Sequence, residues 1–275
     1  MENKINKLFI VGDSYSMTYY GDSNDRVWTK LLSQKLNCQL INNSCPGSSQ
    51  DWAMNTIVAN EDQITSDDQL IIALTEPARV WYVEERPDFS NPWIVDTEFD
   101  LLGMPHIKEA IISYVRNIQR PALDTRHVAF RLGWLNNLVK INNWRKPIIL
   151  LGFPQTIPNL DTHYPDLYFA TGSLFEVTKD EEDLNDLPVS VGIDSRYNHL
   201  ILSNHDILVD KIVDHIENGA VIDLTTGFLK SVISNDLILN EEFAKKELNL
   251  EYCDRYKTAE PHREKRTLMH KIFKL

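Results

Sequence analysis

Short runs of apolar residues alternate along this chain with segments in which apolar residues recur every three or four positions. The first pattern is typical of buried strands and the second of amphipathic helices. The runs predict four strands, at 7–11, 38–42, 69–74 and 147–153. The periodic segments predict one helix that is capped at Ser23 and runs through Leu36, and a second that is capped at Ser48 or Ser49 and runs through Ile57. They also predict helices at 107–119, 125–141 and 203–219. Helices that separate consecutive strands in this way indicate βαβ units, and therefore an α/β fold whose sheet is mainly parallel.

Two segments interrupt this alternation. Residues 80–106 are rich in Pro, Asp and aromatic residues, and residues 154–198 are irregular and contain an acidic stretch. We expect both to be insertions in a single α/β domain that spans residues 1–219. Residues 220–275 are predicted to form a C-terminal extension, which begins with a small hairpin around the Thr-Gly pair at 226–227.

The net charge and composition of the chain argue against several classes of binding partner. The chain has 275 residues, with 28 Lys and Arg against 40 Asp and Glu, so its formal net charge is −12. Such a chain lacks the positive field that attracts nucleic-acid phosphates or anionic lipid. No apolar run approaches the ~18 residues of a membrane span or the ~7–15 of a secretory signal. Its three cysteines indicate no disulfide framework. We therefore expect a reduced protein that is either cytoplasmic or incorporated into a virus particle, and that binds neither nucleic acid nor membranes.

Cofactor motifs give no positive signal. The ten glycines form no phosphate-binding loop, and the histidines, cysteines and carboxylates show no paired spacing typical of metal ligands. We therefore expect neither a metal nor a nucleotide cofactor.

The polar residues that follow the predicted strands are the candidates for chemistry, because such sheets bind ligands beyond the carboxyl ends of their strands. Ser14 follows the first strand, Gly47 the second, and Thr75 and Arg79 the third. His199 precedes the last predicted helix. A serine, a glycine turn and a histidine at one sheet edge suit acyl transfer, which needs a nucleophile, a base and oxyanion donors.

The run Gly-Asp-Ser-Tyr-Ser at 12–16 resembles the first block of the SGNH (GDSL-type) hydrolases, which also follows the first strand. Gly47 resembles the second block of that family, Thr75 lies in the third and His199 in the last. The order of these blocks, over about residues 7–218, is similar to that of divergent members encoded by bacteriophages. The resemblance implies a three-layer α/β/α sandwich with a mainly parallel sheet, the flavodoxin-like SGNH fold.

The resemblance also implies a role for each matching residue. Ser14 would be the nucleophile, and His199 its general base and later the acid for the leaving alcohol. The backbone N–H groups of Ser14 and Gly47 would donate to the oxyanion, together with a third donor at Thr75.

This sequence departs from the SGNH pattern at two positions. Thr75 stands where the family has an asparagine, and its hydroxyl donates only one hydrogen bond. Arg196 stands where the family has the aspartate that orients the histidine. Asp194 lies five residues before His199 and would reach it if the loop bulges; otherwise His199 and Ser14 form a dyad. Loss of an oxyanion donor costs about 10²–10³ in rate, and loss of the acid up to about 10⁴.

Two functions remain open from the sequence. The first is a carboxylic ester hydrolase, with O-acetyl groups on a carbohydrate as a candidate substrate. Arg79 then either binds an anionic group of the substrate or pairs with one of the chain's many carboxylates. The second is a catalytically weak or inactive relative with a binding or structural role, for example in a virus particle, and the two departures favour it.

Overall fold

The computed structural model shows a sheet with helices packed on both faces. It describes residues 4–17, 27–45, 47–77, 79, 81, 109–110, 113–114, 117–118, 121–153, 158–178, 200 and 202–228.

Within the described residues, five parallel strands form one sheet in the order β2-β1-β3-β4-β5. The strands are β1 (Lys7–Gly12), β2 (Gln39–Asn42), β3 (Gln69–Leu74), β4 (Ile148–Leu151) and β5 (Tyr168–Phe169). From β1 the chain moves to the neighbour on one side, β2, and then crosses to the neighbour on the other side, β3. This is the flavodoxin-like strand order, and it creates a switch point between β1 and β3, the place where open α/β sheets bind ligands.

Among the α-helices whose bounds the structure describes, six connect or follow these strands. They are α1 (Trp28–Lys35), α2 (Gln50–Ala59), α3 (Pro121–Asn142), α4 (Leu160–His163), α5 (Leu174–Thr178) and α6 (Leu202–Asn218). The Ser49 side chain caps α2 by accepting a hydrogen bond from the Trp52 N–H at 3.2 Å, as expected for a serine at this position. Gly219 follows α6 with a φ of 73°, a left-handed conformation that favours glycine at a helix end.

The two faces of the sheet bury separate apolar clusters because successive strand side chains point in opposite directions. In β1, Phe9 and Val11 pack in the cluster that contains α2 and α3. Leu8 and Ile10 pack in the other cluster, with α1 and α6. The structure therefore has three layers, helix, sheet and helix, as predicted.

The β5 side of the sheet is extended by a segment that follows α6. Thr171 forms a parallel bridge to Asp223, in which its N–H donates to the Ile222 carbonyl and its own carbonyl accepts from the Leu224 N–H, both at 2.8 Å. Ile222 and Leu224 are buried in the cluster of α1 and α6. The packed part of the chain therefore continues past Gly219.

The prediction that residues 154–198 are irregular was wrong for the part that the structure describes. Residues 160–178 contain α4, β5 and α5. Periodicity missed β5 because it is two residues long, too short for an alternating pattern. The second half of the predicted hairpin around 226–227 lies outside the described residues, and in its first half Asp223 pairs in parallel with Thr171.

Several predicted features lie outside the described residues. They include nearly all of the insertion at 80–106, the residues from 179 to 199 and the extension beyond 228. Among the residues that the structure does describe, no helix is long and apolar enough to cross a membrane.

Candidate active site

Gly12 ends β1 at the switch point, where β1 and β3 are in close contact. A Cβ atom at Gly12 would lie 2.7 Å from both the Cβ and the carbonyl oxygen of Ala73, and 2.6 Å from Ser16 Oγ. Real Cβ atoms essentially never make contacts this short, so a side chain here would force the two strands apart. The glycine therefore allows the turn after β1 to lie directly against β3.

Ser14 lies in a tight turn that follows Gly12. The turn closes through the Ser16 N–H, which donates to the Asp13 carbonyl at 3.1 Å. Asp13 Oδ1 accepts the Tyr15 N–H, also at 3.1 Å, so the aspartate side chain stabilises the same turn. Ser14 is only 9% exposed. A short turn at the end of a buried strand thus holds a serine at the sheet edge where ligands bind.

Gly47 lies in a second turn, between β2 and α2. The Ser48 N–H closes this turn on the Cys45 carbonyl at 3.1 Å, and Gly47 has a φ of 72°, which favours glycine. Two bonds tie the turn to β1, because the Cys45 N–H and Ser48 Oγ both donate to the Gly12 carbonyl, at 2.9 and 3.0 Å. The turns that contain Ser14 and Gly47 are therefore neighbours.

Thr75 directly follows β3 and is 3% exposed. Its hydroxyl donates to Asp13 Oδ2 at 2.9 Å, and its carbonyl accepts from Gln50 Nε2 at 2.7 Å. A hydroxyl has a single proton to donate, and here that proton is directed at Asp13. The oxyanion role of Thr75 stays a prediction, and it requires this hydrogen bond to break.

Arg79 is buried against the same aspartate. Its Nη1 lies 2.9 Å from Asp13 Oδ2 and 3.3 Å from the Ser48 carbonyl, and the residue is 8% exposed. Its Nε lies 3.9 Å from Glu76 Oε2, beyond hydrogen-bond distance. Of the two roles that the sequence left open for Arg79, the structure shows the pairing with a carboxylate; a contact with substrate stays a prediction.

A second arginine, Arg131 of α3, contacts α2. Its Nε and Nη2 donate to the two oxygens of the Asp51 carboxylate at 2.7 and 2.8 Å. Its Nη1 donates to Gln50 Oε1 at 3.3 Å. Arg131 therefore joins two helices of the same layer without contacting the turns of Ser14 or Gly47 through any of these bonds.

The remaining predicted site residues are not described. His199, Asp194 and Arg196 lie outside the described residues, and their roles as base, acid and departure from the family pattern stay predictions. His205, near the start of α6, accepts the Trp28 N–H on its Nδ1 at 3.2 Å. His205 thus contacts the first residue of α1 and links α6 to α1.

Some polar contacts of the candidate site could not be foreseen from the sequence, and they centre on Asp13. An aspartate at this position is expected to accept hydrogen bonds within its own turn, and Asp13 does so from the Tyr15 N–H. The contacts of Asp13 with Thr75 and Arg79, which are 62 and 66 positions away, were not predicted from the sequence. The available signal was an aspartate directly after a buried strand, since a buried carboxylate needs donors.

Metal chemistry has no support from the described part of the chain. In those residues, no group of three or more His, Cys, Asp or Glu side chains is arranged so that it could hold a metal ion.

Comparisons with known proteins find only remote structural likeness. No protein-family model matches the chain, and no curated protein does. One similar structure is a protein described as a candidate lipolytic member of the G-D-S-L family from Desulfitobacterium hafniense. It is 12% identical with a TM-score of 0.35, over 77% of this chain and 99% of that one. Another is an alpha/beta hydrolase enzyme from the metagenome of Lake Arreo, Spain, also 12% identical, with a TM-score of 0.37 over 81% and 97% of the two chains. Scores and identities this low carry no argument about family or activity.

Proposed function

We propose that the protein is an ester hydrolase of the SGNH type that uses Ser14 as its nucleophile. One observation carries the proposal: Ser14 lies at the β1–β3 switch point, in a turn directly after Gly12, and the Gly12 carbonyl accepts two hydrogen bonds from the turn of Gly47. Open α/β sheets bind ligands at this position. The motif at 12–16 supports the same reading because it puts a serine at the place that the SGNH pattern requires.

The proposed reaction has two steps. Ser14 Oγ attacks the acyl carbon while His199 takes the hydroxyl proton, and His199 then protonates the alcohol as the ester bond breaks. Water, deprotonated by His199, next attacks the acyl-enzyme and releases the acid and free Ser14. The backbone N–H groups of Ser14 and Gly47 are the proposed donors to the oxyanion that forms in each step.

Within this class, we propose an O-acetyl ester on a carbohydrate as the substrate. The support is the family resemblance, together with the aromatic residues at 81–93 that follow Arg79 in the sequence and are of the type that stacks on sugar rings. A panel of p-nitrophenyl esters of increasing acyl length and an acetylated polysaccharide would test this. Preference for the acetyl ester and release of acetate from the polysaccharide are expected.

The first test is labelling with a fluorophosphonate probe, read by peptide mass spectrometry. We expect the label on Ser14, no label in Ser14→Ala, and a rate at least about 10³-fold lower in His199→Ala, which removes the base. Ser66→Ala is the matched control, because Ser66 is an exposed serine before β3 and should not alter the rate.

Asp194→Asn separates a triad from a dyad. A rate loss of up to about 10⁴ would identify Asp194 as the acid that orients His199, and an unchanged rate would leave a dyad.

A second candidate function is a binding or structural role without catalysis, for example in a virus particle. The hydrogen bond from the Thr75 hydroxyl to Asp13 favours it, because the third oxyanion donor of the family pattern is already engaged. Absence of labelling in the folded protein would contradict the hydrolase and support this alternative.

A further inference from the structure

A single guanidinium nitrogen lies between the two turns of the candidate site. Nη1 of Arg79 donates to the carboxylate of Asp13, the residue before Ser14, at 2.9 Å. The same atom donates to the carbonyl of Ser48, the residue after Gly47, at 3.3 Å. One nitrogen therefore contacts both the turn of the proposed nucleophile and the turn of the proposed oxyanion donor.

We propose that Arg79 is a positioning residue that fixes the distance between Ser14 and Gly47. It acts through Asp13 and Ser48 and needs no contact with substrate. The inference rests on the proposed function for its effect on rate, because a wrong distance between nucleophile and oxyanion donor slows acyl transfer. A misplacement of about 1 Å can cost about 10²-fold in rate.

A backbone turn after β3 brings the Arg79 side chain to Asp13. The Arg79 N–H donates to the Glu76 carbonyl at 3.3 Å, which closes a turn immediately after β3. Pro77 is the second residue of that turn, a place where its fixed φ is favoured. The turn directs the side chain back under the sheet edge, where it is 8% exposed and its partner Asp13 is 1% exposed.

Arginine suits this role better than lysine does. Its planar group holds several donors in fixed directions, so one side chain can bond two acceptors without losing its orientation, whereas an ammonium is a flexible point charge. Asp13 contributes the other half of the arrangement: its Oδ1 stabilises the Ser14 turn while its Oδ2 receives Arg79.

The test compares Arg79→Met, Arg79→Lys and Arg131→Met with the unaltered full chain. Arg131 is the matched control, since it is also an arginine paired with an aspartate, and it contacts the helices α2 and α3 rather than the two turns. Two quantities are measured at a temperature where each variant is fully folded: the rate constant of fluorophosphonate labelling, and kcat and KM for p-nitrophenyl acetate.

We expect Arg79→Met to lower the labelling rate and kcat by about 10²-fold with little change in KM. Arg79→Lys should recover part of the loss, and Arg131→Met should stay within about two-fold of the unaltered protein. A folded Arg79→Met labelled at the normal rate would overturn the inference. So would an equal loss in Arg131→Met, because it would indicate a general loss of stability. If Arg79→Met does not fold, Arg79→Lys decides the question by the same criteria.

Amide hydrogen exchange gives a readout that does not depend on activity. Arg79→Met or Arg79→Lys should speed exchange in peptides covering 13–17 and 44–49 together, and Arg131→Met in neither. Unchanged exchange in both peptides would overturn the inference even if the rates fall. If the unaltered protein is never labelled, the proposed hydrolase fails, while the positioning of the two turns by Arg79 still stands or fails on this exchange pattern.

Discussion

Two aspartates are almost completely buried at opposite ends of the sheet, and they have different kinds of partner. Asp13 follows the carboxyl end of β1 and is 1% exposed, and Asp68 precedes β3 and is 2% exposed. Asp68 Oδ2 accepts the N–H and the hydroxyl of Thr65, three residues earlier, at 2.9 and 2.8 Å, and lies 3.2 Å from Lys7 Nζ. Asp13 instead accepts from Thr75 and Arg79, across the sheet edge.

The difference shows how similar burial of one residue type can serve two purposes. Asp68 mainly closes a local turn, and its cationic partner Lys7 is 26% exposed in its side chain, so water shares in solvating that charge. Asp13 joins turns that are far apart in sequence, and its charge is balanced by a guanidinium that is itself buried. We therefore expect the carboxyl end of the sheet to be much the more sensitive to substitution.

The largest effect is expected for Asp13→Asn. It removes the charge that balances buried Arg79, and breaking a buried pair in this way costs about 3–5 kcal/mol. The matched change Asp68→Asn keeps an acceptor oxygen for Thr65, and the partly exposed Lys7 still donates to the Gln63 carbonyl, so about 1 kcal/mol is expected. Urea denaturation of both variants measures the difference, and equal losses would contradict the comparison.

Gly12→Ala should have the next largest effect. The added Cβ overlaps Ala73 and Ser16, and overpacking of this kind costs about 1–3 kcal/mol. Gly133→Ala is the control, because a Cβ there meets only Tyr164 Cε1 at 3.7 Å, within the helix α3. It should stabilise the protein by about 0.5–1 kcal/mol. A stabilising Gly12→Ala in thermal denaturation would show that β1 and β3 do not need their close contact.

Ser49→Ala tests a local contact at the sensitive end of the sheet. It removes the cap of α2, and loss of such a cap costs about 1 kcal/mol, similar to the expectation for Asp68→Asn. Ser33→Ala is the control: the Ser33 hydroxyl donates to the Lys30 carbonyl beside it in α1, and alanine favours the helix. Breaking a buried pair costs about 3 kcal/mol or more. A loss this large in Ser49→Ala would mean that the free energy of unfolding depends on which end of the sheet is altered, and not on how far apart in sequence the contacting residues are.

The smallest effect is expected from a third aspartate, Asp223, which lies near the surface. The Thr225 hydroxyl, followed by the Thr226 hydroxyl and the Thr225 N–H, lowers the pKa of Asp223 from 3.8 to about 2. A carboxyl whose pKa is lowered by folding stabilises the fold above its unfolded pKa, and this stabilisation is lost as the pH falls through the folded pKa.

Asp223→Asn should therefore be less stable than the unaltered protein at pH 6, by about 0.5 kcal/mol or less after solvent screening. The difference should decrease between about pH 4 and pH 2. Denaturation curves over this range measure it, and a difference that grows towards pH 2 would contradict the assignment.

Sequence patterns predicted the long, well-packed elements and missed the short ones. Strand β3 was predicted with its observed bounds, because its six residues are all buried between two helical layers. Helix α6 was predicted to within one residue from its apolar spacing and the glycine that follows it. Strand β5 was missed because its two residues depend on pairing with β4, a partner that lies some twenty positions away in the chain.

The candidate site was predictable as a location but only partly as a set of contacts. Ser14, Gly47 and Thr75 follow three strands, and parallel strands bring their carboxyl ends to one edge, so their shared location follows from topology alone. Which carboxylate Arg79 would reach could not be predicted, because it depends on the turn of Glu76 and Arg79 and on the depth of Asp13 below the surface.

The bridge from Thr171 to Asp223 has a consequence for the behaviour of the protein in solution. An open sheet presents unpaired N–H and carbonyl groups on its outer strands, and these can recruit a strand from another molecule and start aggregation. On the β5 side, the N–H and carbonyl of Thr171, just after the strand, are hydrogen-bonded to residues 222 and 224. The Ile222 N–H donates to the Tyr168 hydroxyl at 2.7 Å. The protein thus covers this part of its own sheet edge, and a chain cut before residue 222 would expose a template for self-assembly.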